Sequence, residues 1–356
     1  MNKIEIKGYK SFKEVTLDLH PLNILIGANG AGKSNFLSLF EMLGAIYDRR
    51  QIEYVARRGG VDKFLHHGKK ETESIQIRVV ADRNSYDVKL QEADGKFIIS
   101  SENTGYLFYN TTWDNREIAH YTLEANIKLS KSLKRNQYIR DYLSQIRKFH
   151  FHDTGSKSPF SSESHIVNDA YILYEQGQNI AAFLFKIQSE NPAVYARILK
   201  VIQSVAPYFN DFYFNPSKAG TLRLQWRDKY SSMIYGPNDL SDGTIRFVAL
   251  TTLFLQPTLP QVIIIDEPEL GLHPVAIQKL AGMIRSAANR GTQIIVATQS
   301  VDLISNFEPD DIVVVDQIDG KTLLNRLEED ELKHWLDDYS LGDLWKQNIL
   351  KGGQPR

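Results

Sequence analysis

The sequence contains no cysteine. Disulfides, thiolate metal sites and thiol catalysis are therefore excluded, and a cytoplasmic location, where thiols stay reduced, is expected. An excess of charge is also missing: 42 lysines and arginines stand against 43 aspartates and glutamates, a net charge of -1. That excludes a uniformly basic nucleic-acid coat, so any contact with DNA must come from a local patch. No long apolar run is present. The most apolar stretch, 247–265, is interrupted by Gln256, Pro257, Pro260 and Gln261, so no membrane partner is expected. The N-terminus, Met1-Asn2-Lys3-Ile4-Glu5, reads as the charged start of a strand and not as a signal peptide. Against these absences stand 356 residues, 42% of them hydrophobic, enough for a sizeable core in one large domain or two modest ones.

The pattern along the chain predicts an α/β fold. Residues 4–19 alternate apolar and polar around Gly8, as paired strands do, and Leu22–Ile26 is a short buried run. An apolar helical face follows, carrying Phe36, Leu37, Leu39, Phe40 and Leu43. Residues 74–100 read as antiparallel strands, with a hairpin turn at Ala93-Asp94-Gly95-Lys96. From 111 to 207 the chain becomes polar and helix-prone; no heptad pattern runs through it, so a long coiled-coil arm is not expected. Beyond it, apolar strands at 261–265, 293–297 and 312–315 alternate with helices such as 274–288, the sign of a mostly parallel sheet. The expected division is therefore three segments: 1–110 and 208–356 as two parts of one head, and 111–207 as a mostly helical insertion or lid.

Gly27-Ala28-Asn29-Gly30-Ala31-Gly32-Lys33-Ser34 fits G-x-x-x-x-G-K-[ST] and lies between a buried strand and an apolar-faced helix. Glycines let such a loop wrap a phosphate with inward N–H groups, and the following helix adds its positive end. Ala28 through Ser34, with Asn35 behind them, are the expected ATP-binding residues. Lys33 is expected at the β- and γ-phosphates and Ser34 on Mg²⁺. Val262–Ile265 runs into Asp266-Glu267-Pro268. Charges at the end of a buried strand need a partner. Asp266 is expected to hold Mg²⁺, and Glu267 to orient or deprotonate the attacking water.

Between these motifs, Leu240-Ser241-Asp242-Gly243-Thr244 opens a helix that continues through Phe247, Leu250 and Leu253. A serine there is ordinarily an N-cap. The order of the three motifs resembles ABC-type ATPases, whose signature is Leu-Ser-Gly-Gly-Gln; Asp242 and Thr244 depart from it. More narrowly, the chain resembles compact AAA/ABC-type ATPases of the branch that includes RecF, structural-maintenance-of-chromosomes (SMC) and OLD-type heads. The carriers are Ile6-Lys7-Gly8-Tyr9-Lys10-Ser11-Phe12, the phosphate loop with Asn35, and Asp266-Glu267-Pro268-Glu269-Leu270-Gly271-Leu272-His273-Pro274. The endings Ser340-Leu341-Gly342-Asp343-Leu344-Trp345 and Gly352-Gly353-Gln354-Pro355 are similar as well.

The resemblance implies a P-loop ATPase of ABC-head type, a mostly parallel sheet flanked by helices with an antiparallel β subdomain and a helical insertion. It also implies a head-to-tail homodimer around two ATP molecules. Ser241 and Gly243 of one subunit would then face the γ-phosphate held by Lys33 of the other, and Gly271-Leu272-His273 would line the seam. Asp242 either adds charge near that phosphate or caps the helix. Gln299 stands where ABC proteins usually place a histidine. It can bond a phosphate or water but cannot carry a proton near neutral pH, so a sensing or positioning role and slow hydrolysis are expected. No position is assigned for a Q-loop glutamine.

Other features are weaker. Lys128, Lys131, Lys134, Arg135, Arg140, Arg147 and Lys148 form a basic run, either a solvated face or a strip for nucleic acid or a partner. Arg57-Arg58, Lys63, His66-His67 and Lys69-Lys70 form a second cluster suited to DNA or an acidic partner. His150-Phe151-His152-Asp153 has alternating ligand types, but with no second cluster nearby a structural role is expected. Glu328–Glu331 reads as a helix start, and no nuclease constellation is recognisable. Two functions remain: an ATP-gated dimer acting on DNA or a DNA-bound complex in repair or anti-phage defence, and an ATP-dependent scaffold controlling a separate toxin or nuclease. A transporter head does not account for 266–274, and a small-molecule kinase does not account for the signature.

Overall fold

Alternation of buried and exposed residues builds the first sheet of the computed structural model, which describes residues 1–109, 111–131, 133–336 and 338–350. The chain divides into two compact units, Met1–Ile146 with the segment from Glu308 onward, and Arg147–Phe307. In the first, β1 (Lys3–Tyr9) and β2 (Phe12–Asp18) pair antiparallel with Ile6 opposite Val15. The fully buried β3 (Leu22–Ile26) leads through the glycine-rich loop into α1 (Lys33–Tyr47), followed by α2 (Gln51–Arg57). Phe36 and Phe40 of α1 meet edge to face at 5.4 Å, and Phe12 of β2 closes on Phe36 at 6.2 Å. Aromatic pairs of this kind add about 0.5–1.5 kcal/mol beyond the area they bury, which seats the loop's helix against the first hairpin.

β4 (Ser74–Ala81) alternates half-exposed and buried residues throughout. With β5 (Asn84–Ala93), β6 (Lys96–Phe108) and β7 (Thr112–Ala119) it completes an antiparallel sheet of order β2-β1-β4-β5-β6-β7. Asp94 and Gly95 between β5 and β6 have φ of 51° and 76°, as a two-residue type I′ turn requires. Glu102 of β6 is fully buried, and its carboxylate accepts from Tyr86 OH at 2.8 Å and from the Asn126 and Ile127 amides at 2.7 and 3.0 Å. The first unit continues with α3 (Lys134–Ser144).

The second unit starts at Arg147, within β8 (Ile146–Phe149), and includes β9 (Ser164–His165), α4 (Ile180–Glu190), α5 (Pro192–Gln203), β10 (Phe209–Phe212), β11 (Thr221–Leu222), β12 (Trp226–Asp228) and β13 (Ile234–Tyr235). Trp226 stacks between Phe209 at 5.4 Å and Tyr235 at 4.9 Å, tying β10, β12 and β13 together. Then come α6 (Asp242–Leu255), β14 (Val262–Asp266), α7 (Pro274–Asn289), β15 (Gln293–Thr298) and the short α8 (Val301–Ile304). β14 and β15 are parallel, with Asp266 opposite Ala297. Every residue of β15 and the first four of β14 are buried, which is why these segments read as continuous apolar runs. Back in the first unit, β16 (Ile312–Ile318) runs parallel to β3 and antiparallel to β17 (Lys321–Arg326), followed by α9 (Glu329–Leu336) and α10 (Leu341–Lys346).

Segment 111–207, expected as a mostly helical insertion, contains β7, β8 and β9 as well as α3, α4 and α5, and the division between the units falls inside it at 146/147. Ser340 caps α10 in a reciprocal capping box with Asp343. The terminal Gly352-Gly353-Gln354-Pro355 lies outside the described residues.

Candidate active site

The phosphate loop belongs to the first unit. Lys33, the first residue of α1, is buried, and its ammonium donates to the carbonyls of Gly27 at 2.6 Å and Ala28 at 3.1 Å. The side chain thus spans the loop from its helix end to its strand end. Gly32 has φ of 116°, and a Cβ there would lie 2.3 Å from Thr322 Oγ1 and 3.1 Å from Ser11 Oγ, so only glycine fits. Thr322 Oγ1 donates to the Ala31 carbonyl at 2.8 Å, and its amide donates to the Ser11 carbonyl at 2.8 Å. Asn35 donates to Ser11 Oγ at 2.9 Å. The loop is therefore clamped by the β1–β2 turn on one side and by β17, nearly three hundred residues away, on the other. Its backbone can cradle a phosphate, with the N-terminus of α1 adding positive potential.

The acidic residues belong to the second unit. Asp266 ends β14 half-exposed, and Glu267 follows at φ 42°, in the left-handed region that a non-glycine residue occupies at a cost of about 1–2 kcal/mol. The Glu267 amide donates to the Ala297 carbonyl at 2.8 Å, and Gln299 Nε2 donates to Glu267 Oε1 at 3.0 Å. Gln299, just past the end of β15, therefore fixes one carboxylate oxygen of Glu267. Glu269 is a third carboxylate, which the sequence argument left aside: Thr298 Oγ1 donates to its Oε1, its Oε2 is buried without a partner, and burial raises its pKa above the usual carboxylate range.

Ser241 is the N-cap of α6: its hydroxyl accepts from the Thr244 amide at 3.2 Å and lies 2.8 Å from Thr244 Oγ1. Asp242 is therefore the exposed first residue of the helix and not its cap. A Cβ on Gly243 would lie 2.3 Å from the Gly271 carbonyl oxygen, so the helix start and the 267–273 turn touch through their backbones.

Two residues that the sequence argument did not place in the site hold these pieces together. Arg246, one turn into α6, donates to the Leu270 carbonyl and to the His152 carbonyl, each at 2.8 Å. His152 Nε2 lies 2.9 Å from the Asp266 carbonyl, and since a carbonyl only accepts, that nitrogen carries the proton. His152 was expected to be structural; its ring stacks near His150 at 4.4 Å, and among the described residues no cluster of three or more His, Cys, Asp or Glu could hold a metal. Arg246 had a legible signal, as the one charge inside the run Ile245–Leu255. Part of the basic run is engaged by carboxylates: Lys128 pairs with Asp48 at 2.6 Å, Arg135 with Asp114 at 2.7 Å, and Arg147 lies 3.9 Å from Glu175. Lys131 and Lys134 are exposed.

Known proteins resemble the chain in sequence and in fold. The family described as "AAA domain, putative AbiEii toxin, Type IV TA system" matches residues 22–305. An ATP/GTP phosphatase of Helicobacter pylori is 23% identical over 333 residues, 85% of this chain and 86% of the relative. Endonuclease GajA of Bacillus cereus is 24% identical over 126 residues, 33% of this chain and 20% of that protein. In structure, an SMC head bound to the C-winged helix domain of ScpA superposes with a TM-score of 0.57 at 16% identity, covering 94% of this chain and 99% of the other. No described helix is long and apolar enough to cross a membrane. The chain therefore belongs to the family described as "AAA domain, putative AbiEii toxin, Type IV TA system", is an ATPase, and shares the fold of an SMC head.

Proposed function

We propose that the protein is a nucleotide-gated dimer that closes around two ATP molecules, hydrolyses them slowly and acts on DNA or a DNA-bound complex. The observation that carries this reading is the face made by the start of α6 and the 267–273 turn. It joins Ser241 and Asp242, both exposed, to Leu270 and Val275, which are 45% and 46% exposed. Apolar side chains flanking a helix N-terminus suit a surface that meets a second copy and its phosphate.

In this mechanism Ala28–Ser34 and Asn35 hold the phosphates, Lys33 exchanges its loop carbonyls for the β- and γ-phosphates, and Ser241 and Gly243 of the second copy complete the γ-phosphate contacts. Ser34 and Asp266 offer hard oxygen donors, the set Mg²⁺ prefers; when bound, the ion neutralises phosphate charge. Glu267 accepts the proton of the attacking water. Gln299 holds Glu267 in place and reports on the γ-phosphate without relaying a proton, which supports slow turnover. Glu267→Gln is expected to lower turnover at least about a hundredfold, the scale of general-base catalysis, and to accumulate an ATP-bound dimer by light scattering. Wild-type turnover in the variant, or a monomer at saturating ATP, would sink the mechanism.

A second reading, control of a separate effector protein without direct DNA contact, draws support from the basic run, where Lys128 and Arg135 are engaged with Asp48 and Asp114. Reversing the charge of Lys131 and Lys134 separates the two: salt-dependent DNA binding is lost on the first reading and was never present on the second.

A further inference from the structure

Most of the second basic cluster, including Arg57, Arg58, Lys63, Lys69 and Lys70, is exposed, but His66 is buried. His66 and His67 line a cavity of about 510 Å³ in the first unit, together with Lys7, Lys13, Lys321 and Glu71. The segment is tied to the β1–β2 hairpin: the His66 amide donates to the Gly8 carbonyl at 3.0 Å and the Lys10 amide to the Phe64 carbonyl at 2.7 Å. His66 is buried, and its Nδ1 donates to the Lys10 carbonyl at 2.8 Å, which leaves Nε2 for other partners. Lys7 is offset by Glu14 at 2.7 Å. Among the described residues neither Lys13 nor Lys321 has a carboxylate within ion-pair distance, so the wall keeps a net positive charge even with Glu71 counted.

The composition of the wall selects the ligand. The cations are lysines, compact charges suited to phosphate, with no arginine fork for a planar carboxylate. The only rings are the two imidazoles, set edge to face at 4.0 Å, so nothing offers a base a stacking platform. The volume falls within the range of built ligand sites and admits more than one phosphate. We propose that this cavity is a second phosphate-binding site, distinct from Gly27–Ser34, which takes a phosphate-rich anion: the backbone of a nucleic-acid strand or a free oligophosphate.

The groups facing His66 add a pH signature. Burial, His67 and Lys13 disfavour its charged form, while the Lys10 carbonyl and Glu71 favour it, and the balance lowers its pKa. A bound anion adds to the favouring side, so His66 takes up a proton on binding and affinity rises as pH falls through the bound-state pKa.

The test uses the full chain with its phosphate loop saturated by a non-hydrolysable ATP analogue and Mg²⁺. Inorganic tripolyphosphate, and single-stranded oligonucleotides with and without a 5′-phosphate, are titrated at pH 6 and pH 8. The wild type is expected to bind at least one of these probes, more tightly at pH 6. Lys13→Ala/Lys321→Ala should weaken binding about tenfold or more, with ATP turnover and unfolding temperature unchanged, and His66→Asn should flatten the pH dependence. If an oligonucleotide is the ligand, the double variant also reduces the salt slope by about 1.4, the value for two single-strand phosphate contacts. Binding of tripolyphosphate alone assigns the site to free oligophosphate. Failure of every probe to bind the saturated protein overturns the proposal, as does equal binding by the double variant. Neither failure touches the ATPase mechanism, which is read from turnover.

Discussion

Arg246→Ala tests whether the junction between α6, the 267–273 turn and the His152 segment matters to catalysis. Two hydrogen bonds from a charged donor to backbone carbonyls are lost, both 2.8 Å long. A bond of this type contributes about 1.5–3 kcal/mol when partly buried. The Leu270 bond is exposed, so about 1 kcal/mol is assigned to it and the total comes to about 2.5–4 kcal/mol. At about 2–4 °C per kcal/mol for a unit of this size, the unfolding temperature should fall by about 5–16 °C. Arg246→Lys keeps the charge but has no fork to span two carbonyls, and should recover about half of the loss. Calorimetry on the full chain measures this, and steady-state turnover is measured beside it. The phosphate loop lies in the other compact unit, so KM for ATP should change less than about threefold while kcat falls about tenfold or more, equivalent to about 1.4 kcal/mol in the barrier. If the alanine variant unfolds within 2 °C of wild type the hydrogen-bond argument is wrong. If it is destabilised with unchanged kcat, the junction only holds the unit together.

Gly243→Ala places a methyl group 2.3 Å from the Gly271 carbonyl oxygen, a backbone clash that should cost about 1–3 kcal/mol. Turnover is expected to fall sharply while a fluorescent ATP analogue still binds; undiminished turnover would show that the helix start and the turn need not touch. Glu102 supplies a pH prediction: burial raises its pKa despite three donors, so its contribution to stability is fullest below the unfolded value of about 4.3 and is lost as pH rises through the folded one. Glu102→Gln, always neutral, should therefore gain on the wild type between pH 4 and pH 7 in chemical denaturation, and parallel stability curves would refute this.

What could be read in the sequence was what is contiguous in it. Gly27–Ser34, the strand into Asp266 and the Asp94-Gly95 turn each carry their signal within a few residues, because one loop or one hairpin does the work. The contacts that shape the site are not contiguous. Arg246 reaches back 94 positions to His152, and Thr322 reaches back 291 to Ala31. No local pattern encodes such pairs, although a lone arginine in an apolar helix hinted at one. The basic run illustrates the same limit in reverse: Lys128 looks unpaired until the fold brings in Asp48, 80 positions away.

The clamp on the phosphate loop has a consequence for how the molecule is made. The second unit is one continuous stretch, so it has all its parts as soon as Phe307 has been synthesised. The first unit is built from segments on both sides of the second. Its nucleotide loop precedes the second unit in the chain but lacks one of its two supports until Thr322 arrives. Long-range closures of this kind form late because the loop entropy must be overcome first. A ribosome-bound chain would therefore carry a finished acidic unit before it has a finished phosphate loop, so the ATPase cannot assemble until Thr322 has been made.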